Sequence, residues 1–98
     1  DTATSFVLPT ETQNAVVISV AAANSTNNFS GIVLANIVTG LCHAIAGGAD
    51  FETTVNVGLF GTTGTDVKVT VSARSVNNTF YLENRSGGTL DFFVELAG

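Results

Sequence analysis

The sequence predicts an all-β domain: an antiparallel sandwich of about eight strands. Two observations carry that expectation. The last third of the chain alternates apolar and polar residues in runs at 66–74, 78–83 and 89–96, the period of strands buried on one face. Turn signals rich in Gly, Asn, Ser and Thr recur about every eight to twelve residues, the spacing of a sandwich or barrel.

In the run Asp66–Arg74, residues Val67, Val69, Val71 and Ala73 share a face opposite Asp66, Lys68, Thr70, Ser72 and Arg74. A helix, with its period of 3.6, would scatter both sets. The run 78–83 follows, and Ser86-Gly87-Gly88 then supplies residues that tolerate positive φ, as a hairpin turn requires. In 89–96 Leu90, Phe92, Val94 and Leu96 share one face, while Phe93 interrupts the polar side made by Asp91 and Glu95.

Earlier in the chain, Thr4–Leu8 reads as a short strand stopped by Pro9, which has no N–H to donate. A polar turn spans Thr10–Asn14. Ala15–Ala23 is apolar or small on both faces, so covering on both sides is expected. Asn24–Asn28 is a loop by composition. Over Ser30–Ala46, Leu34, Ile37, Val38, Leu41 and Ile45 stand at helical spacing. Four β-branched residues (Ile32, Val33, Ile37, Val38) and the central Gly40 argue instead for two strands, Ile32–Val38 and Leu41–Ala46. Phe51–Phe60 alternates again, with Phe51, Val55, Val57 and Leu59 on one side, and Gly61–Gly64 turns the chain back.

Ninety-eight residues fit one domain, 1–98, large enough to bury a core. Hydrophobic residues make up 45% and charged ones 11%, well under the roughly 25% of an ordinary chain. Asn, Thr, Ser and Gly take the place of charge, a composition suited to surfaces that pack against copies of themselves. With three basic residues (Lys68, Arg74, Arg85) and a net charge of −5, no basic patch forms. Nucleic acid is therefore excluded as a partner, and an anionic membrane surface repels the chain. The single Cys42 rules out an intrachain disulfide. The chain opens at Asp1 without Met and shows no signal peptide, as expected of a processed product or an excised domain.

Chemistry-bearing residues are sparse. Cys42 and His43 are strand neighbours, so their side chains point to opposite faces and make neither a metal site nor a nucleophile–base pair. The acid pairs Asp50/Glu52 and Asp91/Glu95 read as solvated faces, since nothing fixes the cleft or carbonyl cage that catalysis or Ca²⁺ would need. Asn24, Asn28, Asn77 and Asn84 each start an Asn-X-Ser/Thr triplet, which a chain this rich in those residues produces by chance. No cofactor and no enzymatic activity are expected. Tyr81 and Phe93 are the candidate partner-contact residues, as aromatics a partner or a sugar ring could meet.

The ending Asn77-Asn-Thr-Phe-Tyr-Leu-Glu-Asn-Arg-Ser-Gly-Gly-Thr-Leu-Asp-Phe-Phe-Val-Glu-Leu96 resembles the last hairpin of small jelly-roll, tumour-necrosis-factor-like domains of bacteriophage virion proteins. The likeness covers about residues 65–98 and transfers no functional residue. It implies a jelly-roll fold and a homotrimeric, non-enzymatic virion part that decorates a capsid or caps a tail fibre or tailspike. Its partners would be other virion proteins or a host-surface glycan. A carbohydrate- or receptor-binding adhesion module is the alternative.

Overall fold

The computed structural model describes residues 1–8, 15–23, 27–36, 38–76 and 78–97. Among them are eight strands: β1 (Thr2–Val7), β2 (Ala15–Ala22), β3 (Gly31–Asn36), β4 (Leu41–Gly47), β5 (Phe51–Val55), β6 (Val69–Arg74), β7 (Thr79–Asn84) and β8 (Phe92–Ala97). They form two four-stranded sheets, ordered β1-β7-β6-β5 and β4-β3-β2-β8. The fold is thus the expected all-β sandwich. The core lies between the sheets. Val16, Ile18, Val20, Val33, Ala35 and Cys42 from one sheet cluster with Phe51, Val69, Val71, Ala73, Phe80 and Leu82 from the other. Phe6 and Phe80 meet with ring centroids 5.4 Å apart. Gly31 is required where it meets the other layer, because a Cβ there would collide with the Phe51 ring.

The stretch that also fits a helix forms two strands. Asn36 organises the turn between them: its carbonyl accepts Gly40 N–H at 2.8 Å and its Oδ1 accepts Val38 N–H at 2.9 Å. Gly40 takes φ 77°, in the left-handed region. The expected turn at Thr10–Asn14 lies outside the described residues, as does Ile37.

Several finer expectations are corrected. The last two strands are not a hairpin. β7 pairs with β1 and β6 in one sheet, and β8 pairs with β2 in the other. Arg85–Asp91 therefore crosses between layers, which buries Phe80 and Leu82 on one wall of the core and leaves Phe92 and Val94 on the other. The sheets are not wholly antiparallel either, since β5 runs parallel to β6, from Phe51↔Val69 to Val55↔Ala73. Strands β2, β3 and β4 follow one another as a meander, so these orders do not of themselves establish the jelly-roll path.

The expected strand 51–60 stops at Val55 because Asn56 turns to φ 57°. The run 66–74 becomes strand only at Val69, since Val67 lies at φ 64°. Parallel neighbours need a crossover of about a dozen residues or more. Residues 56–68 supply it, and that connection shapes one of the two outer faces.

Candidate functional site

The two outer faces of the sandwich invert the usual arrangement. On the β1-β7-β6-β5 sheet the outward side chains of the central strands β6 and β7 are mostly polar, yet most of them are buried, while Val7 on the edge strand β1 stays exposed. Register places Thr70 between Glu52 and Glu83, and Ser72 between Thr54 and Tyr81. Their neighbours Val69, Val71 and Leu82 point into the core, so these residues face outward. Thr70, Ser72, Tyr81 and Glu83 are nonetheless buried, because the 56–68 crossover lies over them and buries its own Leu59 and Gly61.

Glu83 is the hinge of that arrangement. It is fully buried, at 0% exposure. Its Oε2 accepts the N–H of Gly61 at 2.8 Å and of Thr63 at 3.0 Å, and its Oε1 accepts the N–H of Gly64 at 2.6 Å. A buried carboxylate costs several kcal/mol unless it is paired or hydrogen-bonded. Here three loop amides do the bonding, and the loop is fixed in return. Arg85 fastens the same turn by donating from Nη1 to Gly64 O at 2.7 Å, and its Nε reaches Asp1 at 3.2 Å.

Beside it, Glu52 Oε2 accepts the Thr65 N–H at 3.0 Å and the Thr70 hydroxyl at 2.7 Å. Desolvation opposes its charge. The Thr65 and Thr70 hydrogen bonds, with Lys68 nearby, outweigh that and hold its carboxyl below the ordinary value of 4.5. A crevice of about 460 Å³ opens here, lined by Glu52, Thr53, Thr54, Val57, Leu59, Thr63, Gly64, Thr65 and Thr70.

The β4-β3-β2-β8 sheet shows the reverse: an apolar outer face that no other described segment covers. Glu95 is the only Asp, Glu, Lys or Arg in its four strands. Register sets Phe93 beside Ala21 and Ser19 beside Ile32, with Ile32 beside Ala46. A bulge between β3 and β4 pushes Ile45 out of register. Phe93 is 71% exposed, and Ile32 and Ile45 are exposed with it. The small residues Ala21, Gly31, Ala46 and Gly47 leave an open depression beside them.

The two candidate contact aromatics part company. Phe93 stands on the bare face. Tyr81 does not present itself to a partner: it is 7% exposed, with its ring edge-on to Phe60 at 6.1 Å. The burial comes from the crossover, which covers the part of the face on which Tyr81 lies. Phe60, 73% exposed on that crossover, and Glu83 beneath it escaped sequence reasoning. The signal for Glu83 was a carboxylate within a strand, sharing a face with Thr79 and Tyr81.

Cys42 is buried and His43 exposed on the opposite face. Burial pushes the Cys42 thiol up to about 12. Among the described residues no three or more His, Cys, Asp or Glu side chains gather to hold a metal ion. The Asp50 and Asp91 carbonyls tie down Val69 and Ala23. Asn84 is engaged locally, its Nδ2 donating to Gly88 O at 2.9 Å and its Oδ1 accepting Ser86 N–H at 2.9 Å. Asn24 and Asn77 lie outside the described residues. No family model, no curated protein and no solved structure matches the chain.

Proposed function

We propose that this domain is a non-enzymatic structural module of a virion, assembled as a closed homo-oligomer through the bare face of the β4-β3-β2-β8 sheet. The observation that carries the assembly is the inversion of faces. The central strands of the polar face are roofed by the chain's own crossover, while the apolar face, with Phe93, Ile32 and Ile45 on it, is not roofed by any of the described residues. An apolar patch spanning a whole sheet marks an interaction site on a soluble protein. A second copy is the occupant that composition favours. Two chains of net charge −5 repel each other broadly, but this face brings only Glu95 to the contact. Closed cyclic symmetry covers such a face without building fibres.

The number three, the virion setting and the role in capsid decoration or at a fibre tip rest on the resemblance of residues 65–98. Native mass spectrometry tests the number: the trimer has three times the 10.0 kDa chain mass, and a dimer or an open-ended series contradicts it. The adhesion reading draws on the exposure of Phe93, whose ring is as open to a sugar as to a protein. Binding on a glycan array that disappears in Phe93→Ala would favour adhesion over assembly.

A further inference from the structure

The crevice between the crossover and the edge strand β5 is a second candidate site, on the opposite side of the sandwich from the bare face. We propose that it binds a neutral polyhydroxylated ligand, a hexose-like sugar ring. The inference does not depend on the assembly reading.

The lining sets the ligand class. Four threonines (Thr54, Thr63, Thr65, Thr70) and one carboxylate, Glu52, line about 460 Å³, within the roughly 300–1,000 Å³ range of small-molecule sites. Each hydroxyl both donates and accepts, and a carboxylate accepts about four hydrogen bonds in all. Donors from Thr65 and Thr70 leave Glu52 acceptor capacity. No Lys or Arg lines the crevice, so an anionic ligand finds no counter-charge. A cation finds a single carboxylate, already offset by Lys68. Val57, exposed at the rim, adds an apolar surface suited to the C–H face of a sugar ring.

The walls are also held in place. Glu83 fixes the amides of Gly61, Thr63 and Gly64, and Arg85 fixes the Gly64 carbonyl. Both ends of the crossover adopt left-handed backbone, Asn56 at φ 57° and Val67 at φ 64°. Asn tolerates that region; a β-branched Val is a genuine outlier there. Strain of this kind persists where the surroundings over-determine it, and it clusters at binding sites. A pinned and strained loop roofing a hydroxyl-lined crevice is a preorganised site, which lowers the entropy cost of holding a weakly interacting sugar.

The test is an amide ¹H–¹⁵N titration of the whole chain with glucose, galactose, mannose and N-acetylglucosamine in turn, and with calcium chloride in a separate arm. The expected result is a saturating shift of the amides of Glu52, Thr63, Gly64, Thr65 and Thr70 with at least one sugar, and none with calcium. Thr54→Val keeps a β-branched residue in the edge strand, and it should weaken that binding several-fold with the melting temperature unchanged. Glu52→Gln is the second variant and should weaken it as well. The proposal is overturned if no sugar gives a saturating shift, if calcium alone shifts these amides, or if sugar-induced shifts survive both variants unchanged. Each of these readings is independent of the oligomer mass, so failure here leaves the assembly proposal standing.

Discussion

Glu83 Oε1 accepts the N–H of Gly64 at 2.6 Å, and a Cβ added at Gly64 would lie 2.7 Å from that same oxygen. The carboxylate and the glycine are thus a matched pair: the close approach that satisfies the buried acid is open only to a residue without a side chain. Glu83→Ala removes the acceptor of three loop amides. Each amide left without a partner costs about 1–3 kcal/mol, so the expected loss is about 3 kcal/mol or more. Urea denaturation measures it, and hydrogen exchange at Gly61, Thr63 and Gly64 should accelerate with it. Unchanged stability and exchange would mean that water replaces the carboxylate without cost.

Glu52 gives the fold an acid-sensitive contact. Its folded carboxyl is held below the ordinary value of 4.5, so folding favours the ionised form. The stabilisation is fully present above the unfolded value and is lost as pH falls through the folded one. Because the group is partly exposed, solvent screening keeps the effect modest. Glu52→Gln should flatten the fall in melting temperature on acidification below about pH 4.5. Parallel acid curves for the two proteins would show that the contact contributes nothing.

The alternating period announced the sandwich because a half-buried strand has a period of two, and in the last third of the chain no helical spacing competes with it. Gly40 and the β-branched residues around it separated β3 from β4 for the same local reason. What escaped was non-local. Thr70 and Ser72 read as part of the polar side of their strand, and alternation gave their direction correctly. It gave no sign that a crossover would roof them, because the parallel β5–β6 pairing is decided by contacts far apart in sequence. The division of β7 and β8 between sheets was hidden likewise: Ser-Gly-Gly makes a tight turn whether it joins partners or layers. Of the candidate contact aromatics, the exposure of Phe93 follows from its place on the outward side of its strand, whereas the burial of Tyr81 was not legible because its roof is non-local.

The turn after β7 carries a testable asymmetry. Gly87 lies at φ 91° and Gly88 does not share that conformation. Neither has atoms crowding its Cβ position, so backbone conformation alone should separate them. Gly87→Val is expected to cost about 1 kcal/mol or more, and Gly88→Val much less. Thermal melts of the two variants measure the difference, and equal melting temperatures would contradict the turn as described.

Cys42 should behave as a core residue. Its thiol is 2% exposed and is pushed up to about 12 by desolvation, so almost no thiolate exists at neutral pH. A thiol reagent should react with it only after unfolding, and Cys42→Ser should cost about 1–3 kcal/mol by burying a hydroxyl. Rapid labelling of the native protein would place the thiol at the surface.

The central claim is that the bare face of the β4-β3-β2-β8 sheet is covered by other copies of the chain. Light scattering coupled to size exclusion, run on the unmodified protein and on Phe93→Glu over a wide dilution series, tests it most directly. The unmodified chain should run at a multiple of 10.0 kDa, and Phe93→Glu should shift toward the monomer with the fold intact by circular dichroism. An unmodified chain that stays at the monomer mass at every concentration, or an oligomer that Phe93→Glu leaves untouched, would contradict it.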